Sequence, residues 1–227
     1  MSTPLQVLES VFGYSAFRAH QEAIISEVLE GRDTFVLMPT GGGKSLCYQI
    51  PALLLEGTAV VVSPLISLMK DQVDALVANG VDAAYYNSTL EEADARRTLA
   101  RLHKGELDLI YVSPERLMND RFVARLQSID ISMLAIDEAH CVSQWGHDFR
   151  PDYARLGAVR DVFEAVPTMA LTATADEQTR GDVVKQLRLR EPSVVVAGFD
   201  RPNIEYKVSD KHKPIDQLEQ VIARHPG

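Results

Sequence analysis

Cysteine is scarce in this chain: of 227 residues, only Cys47 and Cys141 carry thiols. They stand far apart and match no zinc-ligand spacing, so no disulfide framework is implied and reduced thiols in a reducing compartment are expected. No apolar run approaches the length of a bilayer span. The N-terminus lacks the basic-then-apolar order of a signal peptide, so neither a membrane anchor nor secretion is expected. Basic charge is short as well. A net charge of −9 excludes a surface coated in Lys and Arg for nucleic acid and leaves room only for a local basic groove. Internal repeats and low-complexity segments are absent. The remainder, 46% hydrophobic and 24% charged, describes an ordinary globular chain long enough for one large domain or two small ones.

Apolar, β-branched runs alternate with amphipathic ones. Strands are expected at 34–38, 58–63, 82–86, 107–112, 132–137, 167–172 and 193–197. Between the second and third, Leu65, Leu68, Met69, Val73, Leu76 and Val77 predict one helical face that ends at Asn79 and Gly80. Thr89 with Glu92, and Thr174 with Glu177, have the spacing of capping boxes. Strands apolar on both faces and alternating with helices imply an α/β fold, a mainly parallel sheet with helices on both faces. Ligands of such sheets bind at the carboxyl ends of the strands. The alternation breaks in the turn-rich stretch 198–203. A strand at 204–208 and a helix at 214–224 then read as the start of a second unit, giving domains 1–200 and 201–227.

Two strings carry chemistry. Residues 38–45 read MPTGGGKS and residues 136–140 read IDEAH, each following a strand-like run. Gly41, Gly42 and Gly43 let the backbone reach φ > 0 and bring N–H groups up to phosphate oxygens. Thr40 lies in the same loop. The segment from Ser45 onward opens a helix whose N-terminus favours an anion. Lys44 supplies a mobile cation for the phosphates, and the Ser45 hydroxyl suits Mg²⁺. Asp137, at a strand tip, suits a second magnesium contact, and Glu138 suits the acceptance of a proton from an attacking water. The general phosphate-loop pattern asks for Gly where this chain has Met38. The glycine run still supplies the loop.

With these strings in view, nearly the whole chain resembles the RecQ family of superfamily-two DNA helicases, in which Met at position 38 is ordinary. The stretch 12–21, FGYSAFRAHQ, resembles that family's adenine-recognition motif. The resemblance implies that Tyr14 and Arg18 sandwich the base and Gln21 reads its edge. The stretches 60–73 (VVVSPLISLMKDQV) and 109–117 (LIYVSPERL) resemble strand-binding motifs. The stretch 170–175 (ALTATA), with Thr172 and Thr174, resembles the motif coupling nucleotide state to domain movement. The most specific string is 141–153, CVSQWGHDFRPDY. It resembles the aromatic-rich loop by which the family senses single-stranded DNA. It offers Gln144, Trp145, His147, Phe149 and Arg150 for contact and coupling, the aromatic rings by stacking and Arg150 by meeting phosphate or a ring face. For Phe149 or Tyr153 alone, burial in an aromatic cluster is an equal alternative.

The resemblance implies a RecA-like P-loop NTPase domain and the linker into a second such domain. The implied activity is ATP-dependent 3′-to-5′ DNA unwinding in repair and recombination, with Lys44, Asp137, Glu138 and His140 at the catalytic centre. The implied cofactors are ATP and Mg²⁺, with zinc expected only in a C-terminal region this chain does not contain. Single-stranded and partly duplex DNA are the implied partners. Single-strand-binding and repair proteins would dock through regions outside this chain. The expected location is cytoplasmic, at a bacterial nucleoid, or nuclear. Two alternatives stay open: an isolated nucleotide- and DNA-binding half-motor without appreciable turnover, and a DEAH-box RNA helicase.

Overall fold

The computed structural model describes residues 2–146, 148–198, 208 and 210–224. Seven strands form one sheet: β1 (Thr34–Leu37), β2 (Thr58–Val62), β3 (Ala83–Tyr86), β4 (Leu109–Val112), β5 (Ile131–Ile136), β6 (Thr168–Thr172) and β7 (Ser193–Val196). Their spatial order is β3-β4-β2-β5-β6-β1-β7, and every pairing is parallel. The seven strands expected between 34 and 197 form, with ends shifted by one or two residues.

The period-two geometry of a strand divides each run between two cores. Phe35, Leu37, Val60, Val62, Ile110, Val112, Leu134 and Ile136 point to one face. Val36, Ala59, Val61, Leu109, Tyr111, Met133 and Ala135 point to the other. Helices α1 (Pro4–Phe12), α2 (Gln21–Leu29), α3 (Lys44–Ala52) and α4 (Ile66–Ala78) precede β3 in the chain. Of these, α2, α3 and α4 cover the second face through Ile24, Val28, Cys47, Tyr48, Met69 and Val73. Helix α1 adds an outer layer, with Val7 and Leu8 against Ile25 and Ile50. The first face is covered by α5 (Glu92–His103), α6 (Pro114–Leu117), α7 (Asp120–Leu126), α8 (Pro151–Ala154), α9 (Leu156–Val162) and α10 (Glu177–Gln186). Full burial of each such aliphatic side chain contributes roughly 1.5–3 kcal/mol relative to exposure.

Three expectations are corrected. Along α4, Met69, Val73 and Leu76 are buried, whereas Leu65 precedes the helix and, like Val77, is exposed. Neither capping box forms. Helix α5 begins after Glu91 without a side-chain cap, and Thr89 instead donates to Asn87 in a turn. Helix α10 is capped by Asp176, which accepts from the Thr179 N–H at 2.7 Å. A reciprocal box does close at α1, between Thr3 and Gln6. On edge strand β7, Val194 and Val196 stay exposed, so that strand is covered on one face only.

Asp33 fastens the bottom of the sheet. Its buried carboxylate accepts from Arg160 Nη2 (3.0 Å), from the Thr168 N–H (2.9 Å) and from the Arg190 N–H (2.8 Å). It thereby ties the entries of β1, β6 and β7. The expected helix at 214–224 forms as α11 (Pro214–Arg224), with Ile215, Leu218, Val221 and Ile222 exposed. The expected strand at 204–208 lies outside the described residues except for Val208. Among the described residues, no helix is long and apolar enough to cross a membrane.

Candidate nucleotide and nucleic-acid site

Strand order gathers the motifs. β5, β6 and β1 are consecutive neighbours, so their carboxyl-end loops lie side by side: DEAH after β5, the Thr172–Thr174 turn after β6, and the glycine loop after β1. Met38 N–H donates to Thr172 O at 3.1 Å, and His140 Nδ1 lies 2.8 Å from Thr172 Oγ1, stitching all three together.

In the glycine loop, Gly41 and Gly43 hold positive φ, 78° and 83°. Gly42 does not, contrary to the expectation for all three. Its need is space, because a Cβ there would stand 2.9 Å from Pro39 O. A Cβ on Gly43 would stand 2.4 Å from Gln21 Nε2. Gly43 caps α3, so Lys44 is the first residue of that helix and its Nζ donates to Met38 O at 3.1 Å. Thr40 is exposed at the loop's tip.

The stretch after α1 closes against this loop. Arg18 Nη1 donates to Gly41 O at 2.6 Å. Gln21 is buried, donates from Nε2 to Gly43 O (3.1 Å) and accepts from the Arg18 N–H (2.8 Å). A cavity of ≈ 250 Å³ runs from the exposed Tyr14 ring past Phe12, Arg18 and Gln21 to Gly43 and Ser45. Its aromatic and guanidinium rim and its amide floor offer stacking and edge hydrogen bonds to a planar base.

Asp137 extends the β5–β2 ladder by donating its N–H to Val62 O, and its Oδ1 accepts the Glu138 N–H at 3.0 Å. Burial, and then the neighbouring Glu138 charge, push its carboxyl up to about 6. A divalent cation there would favour the ionised form. With the Ser45 hydroxyl it makes a hard oxygen donor set suited to magnesium. Glu138 adopts left-handed backbone, φ 48°, a conformation that costs a non-glycine residue of order 1 kcal/mol and recurs at functional turns. Its Oε2 lies 3.3 Å from His140 Nδ1. Thr172 Oγ1 in turn accepts from the Thr174 N–H at 3.2 Å. The nucleotide-side groups are thereby linked to the β6 turn by a continuous polar chain.

The loop after DEAH separates its aromatics. Trp145 is 67% exposed and Phe149 lies at the surface, whereas Tyr153 is wholly buried and donates its hydroxyl to Asp137 O at 3.1 Å. Tyr153 is therefore a support beneath the acidic pair. Gln144 is exposed. Arg150 is engaged by Asp148 (3.0 Å) and by Pro64 O (3.3 Å), joining this loop to the one after β2. His147 lies outside the described residues. Burial pushes the Cys141 thiol up to about 12, so it stays a neutral thiol, 3.7 Å from Asp148 Oδ2.

Sequence reading missed a second buried polar group. Tyr48, Gln49 and Tyr111 hydrogen-bond beneath the glycine loop, and Gln49 reaches Gln72 on α4. Tyr48 and Tyr111 are 63 residues apart, and nothing local marks their pairing.

A parallel sheet with these loops at its carboxyl edge is the arrangement of a RecA-like helicase domain. The chain belongs to the DEAD/DEAH box helicase family, which matches residues 18–183. Among curated proteins it is similar to the ATP-dependent DNA helicase RecQ of Pasteurella multocida, 51% identical over 99% of this chain and 36% of that protein. It is 48% identical to the RecQ of Bacillus subtilis over 97% of this chain and 38% of that one. The chain thus spans little more than a third of the length of these relatives. Among solved structures, it resembles a hypothetical ATP-dependent RNA helicase from Sulfolobus tokodaii (TM-score 0.66, 22% identity, 87% of this chain and 57% of that one). It also resembles the Mycobacterium smegmatis helicase Lhr bound to ssDNA and AMP-PNP (TM-score 0.64, 18% identity, 87% and 28%). At these identities the structural likeness bears on fold alone.

Proposed function

We propose that this chain is the nucleotide-hydrolysing half of a RecQ-type DNA motor, working in 3′-to-5′ unwinding for repair and recombination. The observation that carries the reading is the convergence of the glycine loop, the Asp137–Glu138 pair and the Thr172 turn on three adjacent strand ends, with the exposed Trp145 loop leading directly from the same pair. The relatives named as DNA helicases favour DNA over RNA as the strand bound.

In this reading Tyr14 and Arg18 enclose the adenine and Gln21 meets its edge. Thr40, Gly41, Gly42 and Gly43 direct N–H groups at the phosphates, and Lys44 neutralises charge that builds on their oxygens. Ser45 and Asp137 hold Mg²⁺, which when bound neutralises phosphate charge. Glu138 takes a proton from the attacking water, and His140 orients Glu138 while reporting to Thr172 and Thr174. Gln144, Trp145, Phe149 and Arg150, with His147, meet single-stranded or partly duplex DNA. Residues 1–200 form the first motor domain and 201–227 lead into a second. The location is cytoplasmic at a nucleoid, or nuclear.

A second reading is a half-motor that binds ATP and DNA but turns over poorly. It is favoured by the span of the match, because phosphoryl transfer in related machines gains about 10³–10⁵ in rate from an arginine supplied by another element. ATPase measured with and without single-stranded DNA, on this chain and on a version extended through the second domain, separates the two. DNA-stimulated turnover confined to the extended version, and abolished there by Lys44→Ala with the fold retained, is the expected result. Near-normal turnover in a folded Lys44→Ala protein would defeat the assignment.

A further inference from the structure

The turn after β5 gathers nitrogen, sulfur and oxygen donors around one point. His140 and Cys141 lie in the short helical turn Ala139–Val142, and Asp148 follows the bend that carries Trp145. Cys141 Sγ stands 3.7 Å from His140 Nε2 and 3.7 Å from Asp148 Oδ2. One ligand atom from each of the three residues lies within 4.8 Å of the others. A thiol has a single hydrogen and can serve only one of its two neighbours, so lone pairs outnumber hydrogens here. His140 and Cys141 are buried and Asp148 is exposed, which gives two fixed inner donors and one carboxylate on the solvent side, where a cation can enter.

The separations suit zinc. Bonds of about 2.3 Å to sulfur and about 2.0–2.2 Å to nitrogen or oxygen, set at a tetrahedral angle, place the sulfur about 3.6 Å from each of the other donors. The far side of the imidazole is also engaged as a metal-bound histidine requires. His140 Nδ1 lies 3.3 Å from Glu138 Oε2 and 2.8 Å from Thr172 Oγ1. An ionised carboxylate only accepts, so the hydrogen shared with Glu138 sits on Nδ1, and Nε2 is the nitrogen turned toward the sulfur. A carboxylate behind a ligating histidine fixes its tautomer and raises its basicity. We propose that His140 Nε2, Cys141 Sγ and the Asp148 carboxylate form a site for a zinc-class divalent cation, with a fourth position for water, separate from the magnesium position at Ser45 and Asp137. Sulfur and imidazole select zinc or cobalt and give magnesium no advantage. As the sulfur–metal bond forms, the thiol proton passes to solvent. The cation competes with Arg150, whose Nε (3.2 Å) and Nη2 (3.0 Å) donate to Asp148 Oδ2. A bound ion therefore ties Asp148 back to the DEAH turn and loosens its hold on Arg150.

The test is an optical titration with Co²⁺ of this chain after treatment with a chelator. Thiolate ligation is read from a near-ultraviolet sulfur-to-cobalt band, and tetrahedral geometry from strong visible absorption. Wild type, Cys141→Ser, Cys47→Ser and Asp148→Ala are compared, each with thermal melting. Wild type is expected to take up one Co²⁺ with both features; Zn²⁺ should displace it and excess Mg²⁺ should not. Cys47→Ser should match wild type. Cys141→Ser should lose the sulfur band. Asp148→Ala should keep the band but need at least about 10-fold more Co²⁺, since loss of even an outer partner of a metal ligand costs that much. Zn²⁺ should raise the melting temperature of wild type more than that of Cys141→Ser or Asp148→Ala. No sulfur band in wild type at saturating Co²⁺, a band that survives in Cys141→Ser, or Asp148→Ala binding as tightly as wild type would each overturn the proposal. Asp148 is exposed, so its removal decides the matter even where Cys141→Ser fails to fold.

Discussion

Asp137 should weaken the protein that carries it. Its carboxyl is pushed from 3.8 up to about 6, first by burial and then by the charge of Glu138. The folded chain therefore holds this proton to higher pH than the unfolded chain does. Below about pH 4 both states are protonated and the group costs nothing. Between about 4 and 6 the unfolded chain ionises while the folded one resists, so stability falls as pH rises. Above that range the folded chain carries the buried charge and the full penalty. A shift of about two units corresponds to roughly 2–3 kcal/mol at 1.36 kcal/mol per unit. Asp137→Asn keeps the acceptor for the Glu138 N–H and removes the charge. It should therefore be more stable than wild type at pH 7.5 by up to about that amount, a melting gain of roughly 4–12 °C for a chain of this size. The gain should shrink to about a third by pH 4.5 and go on falling below that. Magnesium with adenine nucleotide should reverse the order, stabilising wild type by linkage and the variant little. The assay is chemical and thermal unfolding from pH 4.5 to 8, with and without magnesium-nucleotide. An Asn variant equal to or weaker than wild type at every pH without ligand would refute the claim that this site is built at the expense of stability.

Trp145→Ala removes an indole that is 67% exposed, so melting should move by no more than about 0.5 kcal/mol equivalent, while DNA stimulation of ATPase in the extended protein drops. A large melting loss would return Trp145 to the core. Asp33→Ala leaves Arg160 as an uncompensated buried charge and strips acceptors from the Thr168 and Arg190 N–H groups. It should cost about 3–5 kcal/mol in urea unfolding, and a loss under 1 kcal/mol would show that the sheet's lower end relaxes freely around it.

What the residues disclosed by themselves follows the range of the forces involved. The central strands were legible because a parallel strand buried on two faces needs an unbroken apolar run, and the edge strands β3 and β7, only partly covered, were legible from the alternation that frames them. The glycine loop was legible because backbone conformation is a local demand, although Gly42 answers to the nearness of Pro39 O and not to φ. The caps were misread because Thr-x-x-Glu spacing states what could pair, while Asn87 and Asp176 compete for the same turns and win. Which aromatic of 141–153 turns inward was illegible, since the choice is made by the Asp137 carbonyl that receives the Tyr153 hydroxyl. The tyrosine chain was illegible for the same reason.

Gly146 joins the local and the distant. It follows Trp145 directly, and a Cβ on it would stand 2.5 Å from His140 O and 3.2 Å from Ser143 O. Its N–H donates to Ser143 O at 3.1 Å, and Ser143 N–H donates to His140 O. The backbone carrying the exposed indole is therefore in van der Waals contact with the backbone of the residue whose ring meets Glu138 and Thr172. A densely packed contact of this kind has little compressibility. Under the proposed strand-binding reading, a backbone shift at Trp145 would press Gly146 on the His140 carbonyl. No long pathway separates the exposed Trp145 loop from the acidic pair, because one missing side chain has brought the two backbones together.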